Sequence, residues 1–312
     1  MSLPRIPVPL ARVLLHPYFR LTFQRRLPWK VQRLLLELAA RTQPMPAGAT
    51  TRTLLLGGRR AEVVSVGEAD GPGAVLYLHG GGYTIGSTAT HRSLAAHLAR
   101  EAVRPVYLLD YRLAPEHRYP APVQDTVAAF DALGRSGHAP GTIALAGDSA
   151  GGGIALAAAQ ALVARGGEQP AALVLLSPWA NPAKRASRHR DLVVNRPWGF
   201  ACSDAYLGDG DPADPAFAPH LGSMARLPPT YLHIGLREML YDQCLQLAVL
   251  LRRAGVPMRY VEDPVLWHAA QAQAGLVSEA AESLRDVGGY LRRVFEGRVR
   301  ASADAGAALI SD

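Results

Sequence analysis

The pentapeptide Gly147-Asp148-Ser149-Ala150-Gly151 sets a hydroxyl between two glycines, the spacing of a serine nucleophile carried on a sharp strand-to-helix turn. Such a turn strains the serine backbone, and side chains at the two glycine positions would collide with the adjoining strand and helix. The flanking sequence agrees, because Thr142 to Ala146 is patterned as a strand and Ala150 to Arg165 as a helix. Ser149 then falls on the junction, where the helix N-terminus offers positive potential and the Ala150 amide to an oxyanion. Taken alone, the same five residues also fit a glycine-rich turn that merely enters a helix.

A second glycine run separates the two readings. His79-Gly80-Gly81-Gly82 directly follows the apolar stretch Ala74 to Leu78, the place where esterases put backbone N–H groups for a developing alkoxide. Gly81, Gly82 and Ala150 are therefore the expected oxyanion donors, with His79 anchoring the loop. A phosphate-cradling loop is the competing reading, but Ser87 stands where that loop needs lysine, which argues against nucleotide binding.

Chain order supplies the remaining groups, since on this kind of scaffold a carboxylate and then a histidine follow the nucleophile, each just after a late strand. Four histidines follow Ser149. His189 and His220 lie in an irregular stretch and His233 lies inside a predicted strand, so His268, between a strand and a helix, is the expected base. For the carboxylate, Glu238 follows the strand Thr230 to Ile234 and Asp242 opens the next helix, while Glu262 and Asp263 end the strand before His268. Glu238 is preferred and Asp242 stays open.

These groups need a frame. Strand patterns at Thr53 to Leu56, Glu62 to Val66, Ala74 to Leu78, Val103 to Asp110, Thr142 to Ala146, Ala172 to Leu176, Thr230 to Ile234 and Arg259 to Glu262 alternate, from the third strand on, with helix patterns at 90–100, 122–134, 150–165, 240–254 and 276–296. Short apolar strands separated by helices predict an α/β fold, with a mostly parallel sheet covered on both faces. Residues 49–182 and 226–298 make up that core. Residues 1–48 and 183–225 fall outside the alternation and are expected to cover it together, with 299–312 as a loosely ordered tail.

The charge is uneven. Residues 1–60 hold eleven Lys/Arg against the single acid Glu37, a net +10, so the rest of the chain nets −3. Because the arginines are interleaved with Leu, Val, Phe and Trp at helical spacing, the segment reads as a solvated amphipathic face rather than a nucleic-acid or membrane contact. Prolines and arginines break any secretory h-region, and no apolar run reaches membrane-spanning length, so a cytoplasmic location is expected. Cys202 and Cys244 are read as free thiols, and no metal or other cofactor is implied.

Together these residues resemble the hormone-sensitive-lipase family of esterases, the bacterial family IV group of the α/β-hydrolase superfamily. The likeness runs from about residue 51 to 296 through HGGGYTIGS (79–87), DYRLAPEHRYPAPVQD (110–125), GDSAGGG (147–153), SPWANP (177–182), LPPTYLHIGLREMLYD (227–242) and AGVPMRYVEDPVLWHAAQ (254–271). It implies Ser149, Glu238 and His268 as a triad, an oxyanion hole at Gly81, Gly82 and Ala150, and a helical cap built from the two outlying segments. Two positions depart from the family pattern: Glu238 replaces the usual first aspartate of the acid motif, and Asn181 stands where SPW-x-Asp is usual.

The resemblance also implies hydrolysis of small carboxylic esters with short to medium acyl chains. A lactone hydrolase and an interfacial lipase use the same triad. A non-catalytic, receptor-like binder on this scaffold would lack the histidine, and His268 is present. Tyr83, Trp198 and Phe200 are candidates for the substrate pocket. Asp110, Arg112 and Glu116 are read as one polar network behind the site, and Asp148 as a brace for the elbow. A homo-oligomer is compatible with the sequence.

Overall fold

Runs such as Ala74-Val-Leu-Tyr-Leu78 and Ala172-Leu-Val-Leu-Leu176 lack the polar alternation of a half-exposed strand, and in the computed structural model they are central strands buried on both faces. The structure describes residues 6–69, 71–186 and 191–299. The tail expected from residue 299 lies outside them except for Val299, as does His189.

Eight strands form one sheet: β1 (Ala49–Leu56), β2 (Arg59–Val66), β3 (Ala74–Leu78), β4 (Val106–Leu109), β5 (Ile143–Asp148), β6 (Ala172–Leu176), β7 (Thr230–Gly235) and β8 (Met258–Asp263). Their spatial order is β1-β2-β4-β3-β5-β6-β7-β8, antiparallel where β1, β2 and β4 meet and parallel from β4 onward. Side chains alternate between two cores. Leu76, Leu78, Leu145 and Leu175 face one, shared with α4 (Ala121–Arg135), α5 (Ala150–Arg165) and α7 (Tyr241–Arg253). Val75, Tyr77, Ala146 and Leu176 face the other, against α3 (Thr88–Ala102) and α8 (Ser278–Phe295).

Several strand limits differ from the sequence expectation, three of them for evident reasons. The fourth strand begins at Val106, not Val103, because Val103 caps α3 in the left-handed region (φ 53°) and Pro105 follows. The fifth begins at Ile143, with Thr142 in a short 3₁₀ turn, and runs on to Asp148. The first begins at Ala49; as a largely exposed outer strand, its Thr and Arg residues gave no apolar alternation to read.

The N-terminal residues form α1 (Val8–Thr22) and α2 (Trp29–Ala40), and the inserted stretch forms α6 (Arg196–Leu207). Val8 and Ala11 of α1 pack on Leu266, Trp267 and Ala270, beside His268. Gln32 of α2 is fully buried and accepts from the Trp198 indole of α6 at 2.7 Å. The neighbouring Arg33 donates to the carbonyls of Thr84 (2.8 Å) and Ala114 (3.0 Å) and pairs with Glu116.

Leu145 lies at the centre of β5, the strand that leads into Ser149, and is completely buried. Leu145→Ala is expected to lower unfolding stability by about 2–5 kcal/mol, read from urea denaturation, because a rigid parallel sheet cannot close on the vacated volume.

Candidate active site

Ser149 joins β5 to α5 with φ 51° and ψ −120°, a conformation outside the regions that L-residues ordinarily occupy. Its N–H donates to the Leu176 carbonyl (2.9 Å) and its own carbonyl accepts from Trp179 (2.8 Å) and Gly153 (3.1 Å). The flanking glycines are sterically required. A Cβ on Gly147 would sit 2.5 Å from the Gly151 carbonyl group, and one on Gly151 would run into the Leu78 carbonyl.

The late strands deliver the other two groups. Glu238 follows β7 and His268 follows β8, and the imidazole lies between carboxylate and hydroxyl, with Nε2 2.8 Å from Ser149 Oγ and Nδ1 2.7 Å from Glu238 Oε2. An ionised carboxylate only accepts, so Nδ1 carries the proton and Nε2 is left to accept from the serine. Glu238 Oε1 in turn accepts from the Gly235 N–H (2.6 Å) and the Ser177 hydroxyl (2.8 Å). Both Glu238 and His268 are buried. Asp242, the alternative acid, lies in the first turn of α7, and it is Glu238 that the imidazole engages. His233 is buried within β7 beside Gln271, as its place in a strand requires.

Burial acts to lower the His268 pKa, but the hydrogen bond and charge of Glu238, with the charges of Asp191 and Asp148, outweigh it and leave the imidazole raised. Asp191 comes from the inserted stretch and was not anticipated. Its carboxylate accepts from the N–H groups of Val193 (2.8 Å), Val194 (3.1 Å) and Met239 (2.9 Å), the last adjacent to Glu238. Burial pushes this carboxyl up. Ser177 was also missed as a partner of the acid, although it stands in the SPWANP stretch; nothing in the irregular sequence around Asp191 marks it.

The glycine loop curls so that the Gly81 carbonyl accepts from Thr84 (3.2 Å) and Ile85 (3.0 Å), with Gly81 at φ 125° and a Cβ there colliding with the Ile85 carbonyl. Asp148 ties this loop to the elbow. It is buried and accepts from the Tyr77 hydroxyl (3.0 Å) and the Gly80 N–H (3.0 Å), with His91 Nε2 at 3.2 Å. Burial raises its pKa, but His91, Tyr77 and His79 more than reverse this, so it lies below the ordinary aspartate value. His79 stacks on Tyr111 with ring centroids 4.3 Å apart, and burial with the neighbouring His91 lowers it to about 3. A neutral ring there serves as an anchor. Ala150 opens α5, so its N–H has no partner within the helix.

Above Ser149 and His268 lies an apolar cleft walled by Trp179, Trp198, Phe200, Met239 and Leu240. Two of the three expected pocket residues, Trp198 and Phe200, line it. Tyr83 does not: it is buried behind the wall, donating its hydroxyl to the Trp179 carbonyl (2.6 Å) and stacking on Tyr206 at 4.0 Å. The expected network of Asp110, Arg112 and Glu116 is also corrected. Arg112 pairs with buried Asp125 (2.8 Å), while Glu116 points outward to Arg33, so these two serve separate contacts. Cys202 and Cys244 are buried free thiols, raised by burial. Among the described residues no group of three or more His, Cys, Asp or Glu is gathered as a metal ion would need.

A family model described as alpha/beta hydrolase fold matches residues 75–272. The chain is 37% identical to an acetyl-hydrolase of Streptomyces hygroscopicus, over 74% of this chain and 79% of that one. It is 35% identical to the esterase LipU of Mycobacterium tuberculosis, over 85% and 93%. The crystal structure of an esterase from the bacterial hormone-sensitive lipase family superposes with a TM-score of 0.85 at 35% identity, covering 91% of this chain and 98% of that one. The chain belongs to the α/β-hydrolase family and, within it, to the hormone-sensitive-lipase esterases. It is a carboxylic ester hydrolase.

A base must be neutral to accept a proton, so kcat/KM should fall on acidification through a midpoint above the ordinary imidazole value of about 6.5. Asp191→Asn removes one of the charges that raise His268 while keeping an acceptor for Met239. Its acid limb should move to lower pH, as measured in a pH profile with a soluble p-nitrophenyl ester. An unmoved limb would show that Asp191 has no influence on the imidazole.

Proposed function

We propose that the protein hydrolyses short- to medium-chain esters through an acyl-enzyme on Ser149, with His268 as base and Glu238 as the carboxylate that orients it. The observation that carries this reading is the unbroken hydrogen-bonded chain from Ser149 through His268 to Glu238. His268 Nε2 takes the hydroxyl proton as Ser149 Oγ attacks the ester carbonyl, and the negative charge forms on the former carbonyl oxygen. The N–H groups of Gly81, Gly82 and Ala150 stabilise it; losing one donor of this kind costs about 10²–10³ in rate.

Collapse of the tetrahedral species expels the alcohol, which takes the proton from His268. Water then attacks the acyl-serine, giving its proton to the same imidazole, and the acid leaves as Ser149 is reprotonated. Glu238 holds Nδ1–H and balances the imidazolium charge. No cofactor takes part in either half-reaction. Residues 1–48 and 183–225 act as a cap, contributing Trp198 and Phe200 to the wall of the cleft. That wall is apolar and suits an acyl chain, and a relative named acetyl-hydrolase supports the short end of the range.

Ser149→Ala should reduce kcat by roughly 10⁶ and abolish fluorophosphonate labelling without altering the circular dichroism spectrum. Retained turnover would remove Ser149 from the mechanism. Glu238→Gln should cost on the order of 10⁴ in kcat, the scale seen when the orienting acid of a serine protease is neutralised. Asp242→Asn assayed beside it should stay near the parent rate. The reverse ranking would move the acid to Asp242.

A further inference from the structure

Both N-terminal helices are apolar on two faces, and only one of these is used within the chain. On α1, Val8, Ala11 and Phe19 face inward. Leu10, Val13, Leu14 and Leu21 recur at spacings of three, four and seven, forming a second stripe on the opposite side that stands in solvent, with Val13 70% and Leu21 66% exposed. On α2, Val31, Leu34 and Leu38 repeat the pattern, with Leu34 55% exposed. Eight of the fourteen large hydrophobic residues exposed among the described residues lie before residue 46. Such a concentration marks a docking surface where the sequence alone suggested a solvated face, since the other exposed apolar residues among those described are scattered.

The charge says what docks. Arg20, Arg25, Arg26, Lys30 and Arg41 are all exposed on the same two helices and the turn between them, and Glu37 is the only acid there. We propose that α1 and α2 dock this face on an anionic phospholipid surface, with Leu and Val side chains entering the acyl boundary and the cations at headgroup depth. A nucleic acid would satisfy the cations but leave the aliphatic stripes in water. A second copy meeting this face with its own would oppose two strongly positive surfaces.

The inner side of the same helices packs beside the site. Arg12 of α1 donates to the Val265 carbonyl, three residues before His268. Phe23, just after α1, meets Trp198 of the cleft wall with ring centroids 4.8 Å apart. Docking through the outer stripes therefore holds the cleft roughly 10 Å, one helix diameter, from lipid-borne esters. That consequence rests on the esterase reading; the docking itself does not, so the two fail separately.

The test is co-sedimentation of the full chain with vesicles of phosphatidylcholine alone and of phosphatidylcholine with phosphatidylglycerol, using the parent and Ser149→Ala. Both proteins should bind the anionic vesicles, more weakly as salt rises, and leave neutral vesicles largely unbound. Val13→Ser with Leu14→Ser should weaken binding tenfold or more. Arg25→Gln with Arg26→Gln should weaken it about fivefold per charge. Both double variants should turn over a soluble p-nitrophenyl ester at the parent rate, which shows that they fold. No binding to anionic vesicles overturns the proposal, as does binding that survives loss of the apolar residues. A dimer of the parent that the Val13 and Leu14 changes dissolve would assign the face to a second copy instead.

Discussion

Ser149 is held in a backbone conformation that costs about 1–3 kcal/mol for an L-residue, and much of the central sheet serves to keep it there. β5 runs between β3 and β6, so the residue before the turn cannot shift along the sheet. Leu176 and Trp179 fix the serine backbone from the neighbouring strand and the chain that follows it. Glycines at 147 and 151 let the first turn of α5 press against β3 and β5. The result is a hydroxyl held at the floor of the cleft and within reach of His268, set before any ligand arrives.

Two buried carboxylates flank this turn and do different work. A buried ionised acid without partners would cost far more than the fold can spare, so each has a full set of donors. Asp148 is enclosed by Tyr77, Gly80 and His91, and its charge braces one loop against another. Glu238 has the Gly235 amide and the Ser177 hydroxyl on one oxygen and the His268 imidazole on the other. Only the second faces an imidazole that also meets the Ser149 hydroxyl. Environment separates the roles of the two acids, although both are buried.

The sequence was most legible where backbone sterics dictate residue type. Glycine at 81, 147 and 151 is the sole residue that fits, so the elbow and the glycine loop stood out in the bare chain. Chain order then led to Glu238 and His268, the pair that the structure brings to Ser149. Legibility failed where partners are distant in sequence. Asp191 comes to the Met239 amide, beside Glu238, from an irregular stretch with no periodicity, and Arg112 and Glu116, four residues apart, turn to different partners. Tyr83 adjoins the glycine loop, but its ring is buried, with the hydroxyl on the Trp179 carbonyl and the face on Tyr206.

Adjacent residues of α2 hold two elements that meet beside the site. Gln32 holds the indole of Trp198, part of the cleft wall, while Arg33 holds the carbonyl of Thr84, at the end of the glycine loop. The helix thus sets how the indole seats on the glycine loop, where a Cβ on Gly82 would meet the Trp198 ring. Changes confined to α2 can shift that indole, and with it the wall of the cleft, while Ser149, His268 and Glu238 stay as they are, leaving selectivity free to drift apart from the chemistry.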